Sequence, residues 1–335
     1  MTIVGLVAGN RQSLKLVSGL FVCGLAALPL IVQDRYYLHI FVTLFLYAYL
    51  GSCWDILGGY TGQVCFGPAL FFGIGGYTSS LLLISYGLTP WIGMIVGGLA
   101  AVIVALLMGY LCFRFGLRGL YFAITTIFFA EMFRILSTNY APGQAQGIQL
   151  PFKGNSFYFF QFIGAVPYYY LSLGLVLGIW CIVYKIERSK LGYYLIAIRE
   201  DEQMAETLRI NTMKYKLIAI SLSAFLTALG GTFYSQYVLF IDPTLAFGLG
   251  TSTEIIIRPI AGGMGILYGP FMGSLVITPV AEITRRVVEG FSGLHLVFYG
   301  LILIAVILLM PSGLAGWIEQ ARKRRRIGTL VETRA

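Results

Sequence analysis

AVPYYYLSLGLVLGIWCIVY (165–184), KIERSKLGYYLIAIREDEQMAETLRINTMKYK (185–216) and LIAISLSAFLTALGGTFYSQYVL (217–239) follow one another without interruption. The outer two runs are apolar along nearly their whole length, and about 20 such residues at 1.5 Å rise cross a hydrocarbon core of about 30 Å. The middle run carries seven basic and five acidic residues, 12 of the chain's 37 charges. Two membrane helices joined by a charged extramembrane segment is the reading this alternation requires, and it extends in both directions.

Comparable apolar runs cover about 14–32, 37–57, 66–86, 91–113, 119–137, 252–266, 268–284 and 295–311. The sequence therefore predicts an all-α integral membrane protein of about ten transmembrane helices. Composition agrees: the 335 residues are 58% hydrophobic and 11% charged, whereas a soluble domain carries about a quarter charged residues. Ten spans consume about 200 residues at the usual span length, so the expectation is one membrane domain over 1–335. Arg11 and Lys15 flank the first apolar run, but its length and the lack of an A-x-A site favour an uncleaved helix over a signal peptide.

The net charge of +9 is a matter of topology rather than of nucleic-acid binding. With the N-terminus inside, 17 of the 23 basic residues fall on the cytoplasmic side, including the cluster Arg322, Lys323, Arg324, Arg325 and Arg326. This asymmetry places both termini and residues 185–216 in the cytoplasm. The five cysteines lie in apolar stretches without CxxC spacing, and His39 and His295 stand apart from any acid–base or metal-ligand group. No G-x-x-x-x-G-K-[ST] occurs. The expectation is a transport subunit with no cofactor, no metal and no catalytic site of its own.

Two glycine-rich stretches interrupt the helical pattern: GGYTGQVCFGPALFFGIGGY (58–77) and PIAGGMGILYGPFMGS (259–274). Each contains an aromatic-Gly-Pro triplet, Phe66-Gly67-Pro68 and Tyr268-Gly269-Pro270. Paired breaks of this kind mark an internal repeat with a translocation pathway near the breaks; ordinary close packing with a kink explains them equally well. The pathway candidates are Asp55, Gly62, Gly67, Pro68, Gly263, Gly265 and Gly269. Asp55 has no basic residue within a turn or two. The other intramembrane charges have helix-surface partners, at Glu131/Arg134, Glu254/Arg258 and Glu282 with Arg285/Arg286.

Within 185–216, the positive-inside rule accounts for the basic residues but not the acids. A short helix is expected there, with Glu200, Asp201 and Glu202 in its first turn, Arg209 in its last and Asn211 at a cap. Met204, Ala205 and Leu208 share a small apolar face. Its mixed charge suits docking into a soluble partner better than lying on headgroups.

GQVCFGPALFFGIGGYT (62–78), RGLYFAITTIFFAEMFRIL (118–136), GYYLIAIREDEQMAETLRINTMKYKLIAISLSAFLTALGG (192–231), PIAGGMGILYGP (259–270) and LVFYGLILIAVILLMPSGLAG (296–316) together resemble the permease subunits of ABC importers for branched-chain amino acids, in particular the longer of the two paralogous permeases. The resemblance implies a type II-like importer fold in a bacterial inner membrane. It implies as partners the lipid bilayer, a second homologous permease, two ATP-binding cassette ATPases and an extracytoplasmic solute-binding protein. It also implies that Arg199, Glu200, Asp201, Glu202, Met204, Ala205, Leu208 and Asn211 belong to an ATPase-coupling segment. Two departures stand out: Arg209 replaces the family's usual Gly, and Asp55 replaces a frequent Asn. Urea and short-amide permeases share the subfamily, and an ion-coupled secondary transporter is the alternative from another class.

Overall fold

The structure is a computed structural model that describes residues 24–29, 34–140, 146–287, 300 and 313–316. The major elements are α1 (Arg35–Thr61), α2 (Pro68–Tyr86), α3 (Pro90–Arg114), α4 (Leu120–Tyr140), β1 (Ile148–Gln149), α5 (Ala165–Glu187), α6 (Lys190–Glu200), α7 (Glu202–Thr207), α8 (Thr212–Val238), β2 (Phe240–Ile241), α9 (Pro243–Ala246), α10 (Leu249–Gly262) and α11 (Gly269–Val287). Among the described residues, six helices are long and apolar enough to cross a membrane: α1 to α5 and α8. The expected spans at 14–32 and 295–311 lie mostly outside the described residues. The span expected at 252–266 is a 14-residue helix, about 21 Å long at 1.5 Å per residue, too short to cross. The run at 268–284 becomes the 19-residue α11, which carries Pro279 and closes on charged residues.

Burial sorts the helices into inner and outer positions. In α1, 78% of the most apolar stretch is buried inside the protein, against 22% in α4. The outer faces of α3 and α4 present Ile95, Leu99, Ile103, Leu107 and Phe128, the side chains a hydrocarbon environment accepts without penalty. At the heart of the bundle α1 packs against α5, α8, α10 and α11, while α2, α3 and α8 form a second tight group. That group depends on backbone-to-backbone approach: a Cβ on Gly75 would strike the Ala228 carbonyl, and one on Gly231 the Phe72 carbonyl.

Most charges expected to pair do so. The Arg134 guanidinium donates to both carboxylate oxygens of Glu131, at 2.8 and 2.5 Å. Arg258 Nη2 lies 3.9 Å from the Glu254 carboxylate, Nη1 donates to the Glu254 carbonyl, and the guanidinium stacks 3.6 Å above the Tyr47 ring. Arg286 stacks on Tyr36 at 4.3 Å; the Arg285 side chain lies outside those described. The strands were not foreseen. β1 and β2 pair antiparallel, Ile148 with Ile241 and Gln149 with Phe240, and they close the end of the bundle opposite residues 185–216.

Candidate functional site

The charged segment folds into two short helices with a sharp corner between them. Asp201 forms the corner: its backbone is extended, and Oδ1 accepts the amides of Gln203 at 2.9 Å and Met204 at 3.0 Å. The helix expected to start at Glu200 thus starts one residue after Asp201, because the Asp side chain satisfies the free first-turn amides. Glu200 instead ends α6 and is exposed. Arg209 lies outside the last turn, at φ 60°, a left-handed conformation that costs an L-residue about 1–2 kcal/mol. This is the position where the resembled family carries Gly, and the backbone requirement explains that preference. Asn211 caps α8, accepting the Lys214 amide at 3.0 Å.

The expected apolar face is divided. Ala205 is buried within the chain, while Met204 and Leu208 are 62% and 69% exposed. One turn apart on α7, these two project away from the bundle. Glu202, by contrast, faces inward: Lys216 Nζ donates to it at 2.5 Å and Arg118 Nε lies at 3.3 Å. Lys216 is almost fully buried and also lies 5.4 Å from the Phe113 ring. The Thr212 hydroxyl donates to Glu206 at 2.9 Å. These contacts fasten α7 to the start of α8 and to the end of α3.

The other fastening is Arg199, at the end of α6. Its Nη1 donates 2.7 Å to the Gly59 carbonyl in the last turn of α1, where a cation meets the negative end of the helix. Gly62 (φ 70°) and Gly265 (φ 72°) both lie against the same side chain. Asp55, 2% exposed, accepts the Gly265 amide with both carboxylate oxygens, at 3.0 and 3.1 Å. The Tyr60 hydroxyl donates to Glu187 at 2.5 Å, tying in the end of α5. Asp55, Gly62, Gly265 and Arg199 therefore meet at one junction, where both glycine-rich breaks begin.

The two breaks have equal length and different paths. Residues 62–67 separate α1 from α2, which opens at Pro68 with Gly67 as its cap, and residues 263–268 separate α10 from α11, which opens at Gly269. The first runs back beside α1. Trp54 Nε1 donates to the Cys65 carbonyl at 2.6 Å, and the Phe66 amide donates to Thr126 Oγ1 at 3.0 Å, so side chains supply the partners that non-helical backbone requires at membrane depth. Gly67 packs on Thr126, and the Ala69 amide after Pro68 donates to Ser252 Oγ at 3.2 Å. Gly67 and Pro68 accordingly lie away from the junction. The second break is a tight turn in which Gly263 (φ 118°) and Gly269 face each other across backbone atoms.

Sequence reasoning missed Gly59, Tyr60, Glu187 and Lys216 as members of this site. Lys216 carries a signal in the sequence, since it follows Glu202 within a short, tightly turned segment, although topology alone accounts for its charge.

Residues 36–307 match the family of branched-chain amino acid transport system permease components. The chain belongs to that family. It is similar to the high-affinity branched-chain amino acid transport system permease protein LivM of Escherichia coli K12 and to that of Salmonella typhimurium LT2, at 27% identity in each case, over 80% of this chain and 67% of either relative. No solved structure matches it. Membership in the permease family, together with the apolar spans, makes the chain a multi-pass membrane transport subunit rather than an enzyme.

Proposed function

We infer that this chain is one of two permease subunits of an ABC importer that carries branched-chain amino acids into the cytoplasm. ATP hydrolysis occurs on two separate ATPase chains, and an extracytoplasmic binding protein delivers the substrate. Both termini and the α6–α7 segment face the cytoplasm in the inner membrane. The observation that carries this reading is α7: a short helix outside the bundle, fastened to α8 by Glu202–Lys216 and Glu206–Thr212, with Met204 and Leu208 exposed side by side. An exposed apolar pair on a rigid mount suits insertion into a groove of a soluble partner. The Arg199 bond beside it leads from the same segment to the junction of the two breaks, a route by which partner motion reaches the pathway glycines. Uptake of labelled leucine, isoleucine and valine by vesicles containing the purified complex tests the reading, with the copurifying chains identified. Absence of ATPase chains, or ATP-driven uptake of urea or amides in place of amino acids, would overturn it.

A further inference from the structure

A cavity of about 180 Å³ lies between α1, α2, α8, α9 and α10. Its α1 wall is Leu46, Tyr47 and Leu50, midway along a 27-residue span, so it lies near the middle of the membrane. Leu46, Leu50 and Phe72 make one side apolar. The other side is the start of α10, with Gly250 and Thr251 in its first turn and Glu254 in its second. Glu254 keeps 43% of its side chain exposed even beside Arg258. An ionisable group at this depth marks a functional site by default.

The size and the chemistry of the lining agree on one kind of ligand. An apolar cavity of about 150 Å³ accommodates benzene, so this one admits a molecule slightly larger. The α10 N-terminus has Gly248 at its cap and no side chain capping its amides; free first-turn amides and the helix dipole attract a carboxylate. Glu254 stands one turn along the same helix, about 6 Å by helical rise, and attracts a cation. An α-amino acid presents those two charges as substituents of a single carbon. The apolar wall receives an aliphatic side chain.

We propose that this cavity holds the amino acid in transit, with its carboxylate at the first-turn amides of α10, its ammonium at Glu254 and its side chain against Leu46, Leu50 and Phe72. Arg258, buried and stacked on Tyr47, holds Glu254 in place from the turn below. The proposal rests on the functional reading above and adds a site to it.

The test is equilibrium binding of labelled L-leucine to the purified, fully assembled transporter without binding protein. Unaltered transporter is expected to bind saturably, with 4-methylpentanoate, which lacks the ammonium, competing poorly. Glu254→Gln should weaken binding about tenfold or more, the effect of losing a charge-assisted hydrogen bond. Gly250 lines the cavity and a Cβ added there meets no atom within 4 Å, so Gly250→Leu is sterically tolerated at its Cβ, crowds the cavity mouth and should weaken binding at least tenfold. Thr253→Val, on the exposed side of α10, should bind normally. If Glu254→Gln fails to assemble, Gly250→Leu decides alone. Leucine uptake by the unaltered transporter without saturable binding, or with binding unchanged in both variants, overturns the site and leaves the functional reading standing. Absence of any branched-chain amino acid uptake overturns the reading and the site together.

Discussion

Replacing Glu202 tests whether α7 is mounted rigidly on α8. Its carboxylate accepts from Lys216 at 2.5 Å and lies 3.3 Å from Arg118; side-chain exposures are 15% for Glu202, 3% for Lys216 and 51% for Arg118. The Arg118 bridge is half in water, so its loss costs about 0–1 kcal/mol. The Lys216 bridge is different. Removing one partner of a buried pair costs about 3–5 kcal/mol, because the other charge is left without compensation. Access of water to the 15%-exposed Glu202 side brings the expected cost of Glu202→Ala to the lower end, about 3 kcal/mol. Lys216→Met leaves Glu202 with Arg118 and partial solvent, and should cost about 1 kcal/mol. The double variant Glu202→Ala/Lys216→Met buries no charge, and replacing an intact pair by apolar groups is near neutral. The two singles together should therefore cost about 4 kcal/mol against near zero for the double, a coupling of about 4 kcal/mol, above the usual range of about 0.5–3 kcal/mol for residues in contact. Dodecyl sulfate-induced unfolding of the purified transporter measures the cycle, and protease sensitivity at 200–211 reports the local loosening. Additive single effects, with coupling below about 0.5 kcal/mol, would refute the buried-pair reasoning and leave Glu202 as a solvated surface acid.

Other expectations follow from the same geometry. Met204→Ser/Leu208→Ser should lower the ATPase retained on the purified permease while leaving its unfolding midpoint unchanged, since both side chains are exposed; unchanged retention assigns α7 no partner. Arg209→Gly should stabilise the chain by about 1 kcal/mol, relieving the strain of φ 60°, as read from the same unfolding curves. Asp55→Leu leaves the Gly265 amide without its acceptor and should cost about 1–3 kcal/mol, whereas Asp55→Asn keeps an acceptor oxygen and should be milder. Single cysteines at Ser189 and Gln146, in a background lacking the native cysteines, should label from opposite sides of the membrane; labelling of both by an impermeant reagent in intact cells contradicts the assigned orientation.

Much of this was legible in the sequence because the bilayer imposes a one-dimensional rule. Backbone groups in hydrocarbon must bond within their own helix, so length and hydropathy alone located α1 to α5 and α8 to within a few residues. Helix-surface spacing likewise identified Glu131/Arg134 and Glu254/Arg258, since both members sit on one helix. The aromatic-Gly-Pro triplets marked where helices restart. What local pattern could not reveal was anything joining residues distant in the chain. Asp55 meets Gly265 across 210 residues and Arg199 reaches Gly59 across 140; neither pairing has a periodicity. The shared aromatic-Gly-Pro triplet made the two breaks look alike, yet one returns alongside Trp54 and the other is a glycine turn, because different neighbours offer hydrogen-bond partners. The face drawn through Met204, Ala205 and Leu208 was split for the same reason. Helical spacing determines which side chains are adjacent on α7, while only the packing of α7 against its neighbours decides that Ala205 turns inward and the other two stay exposed.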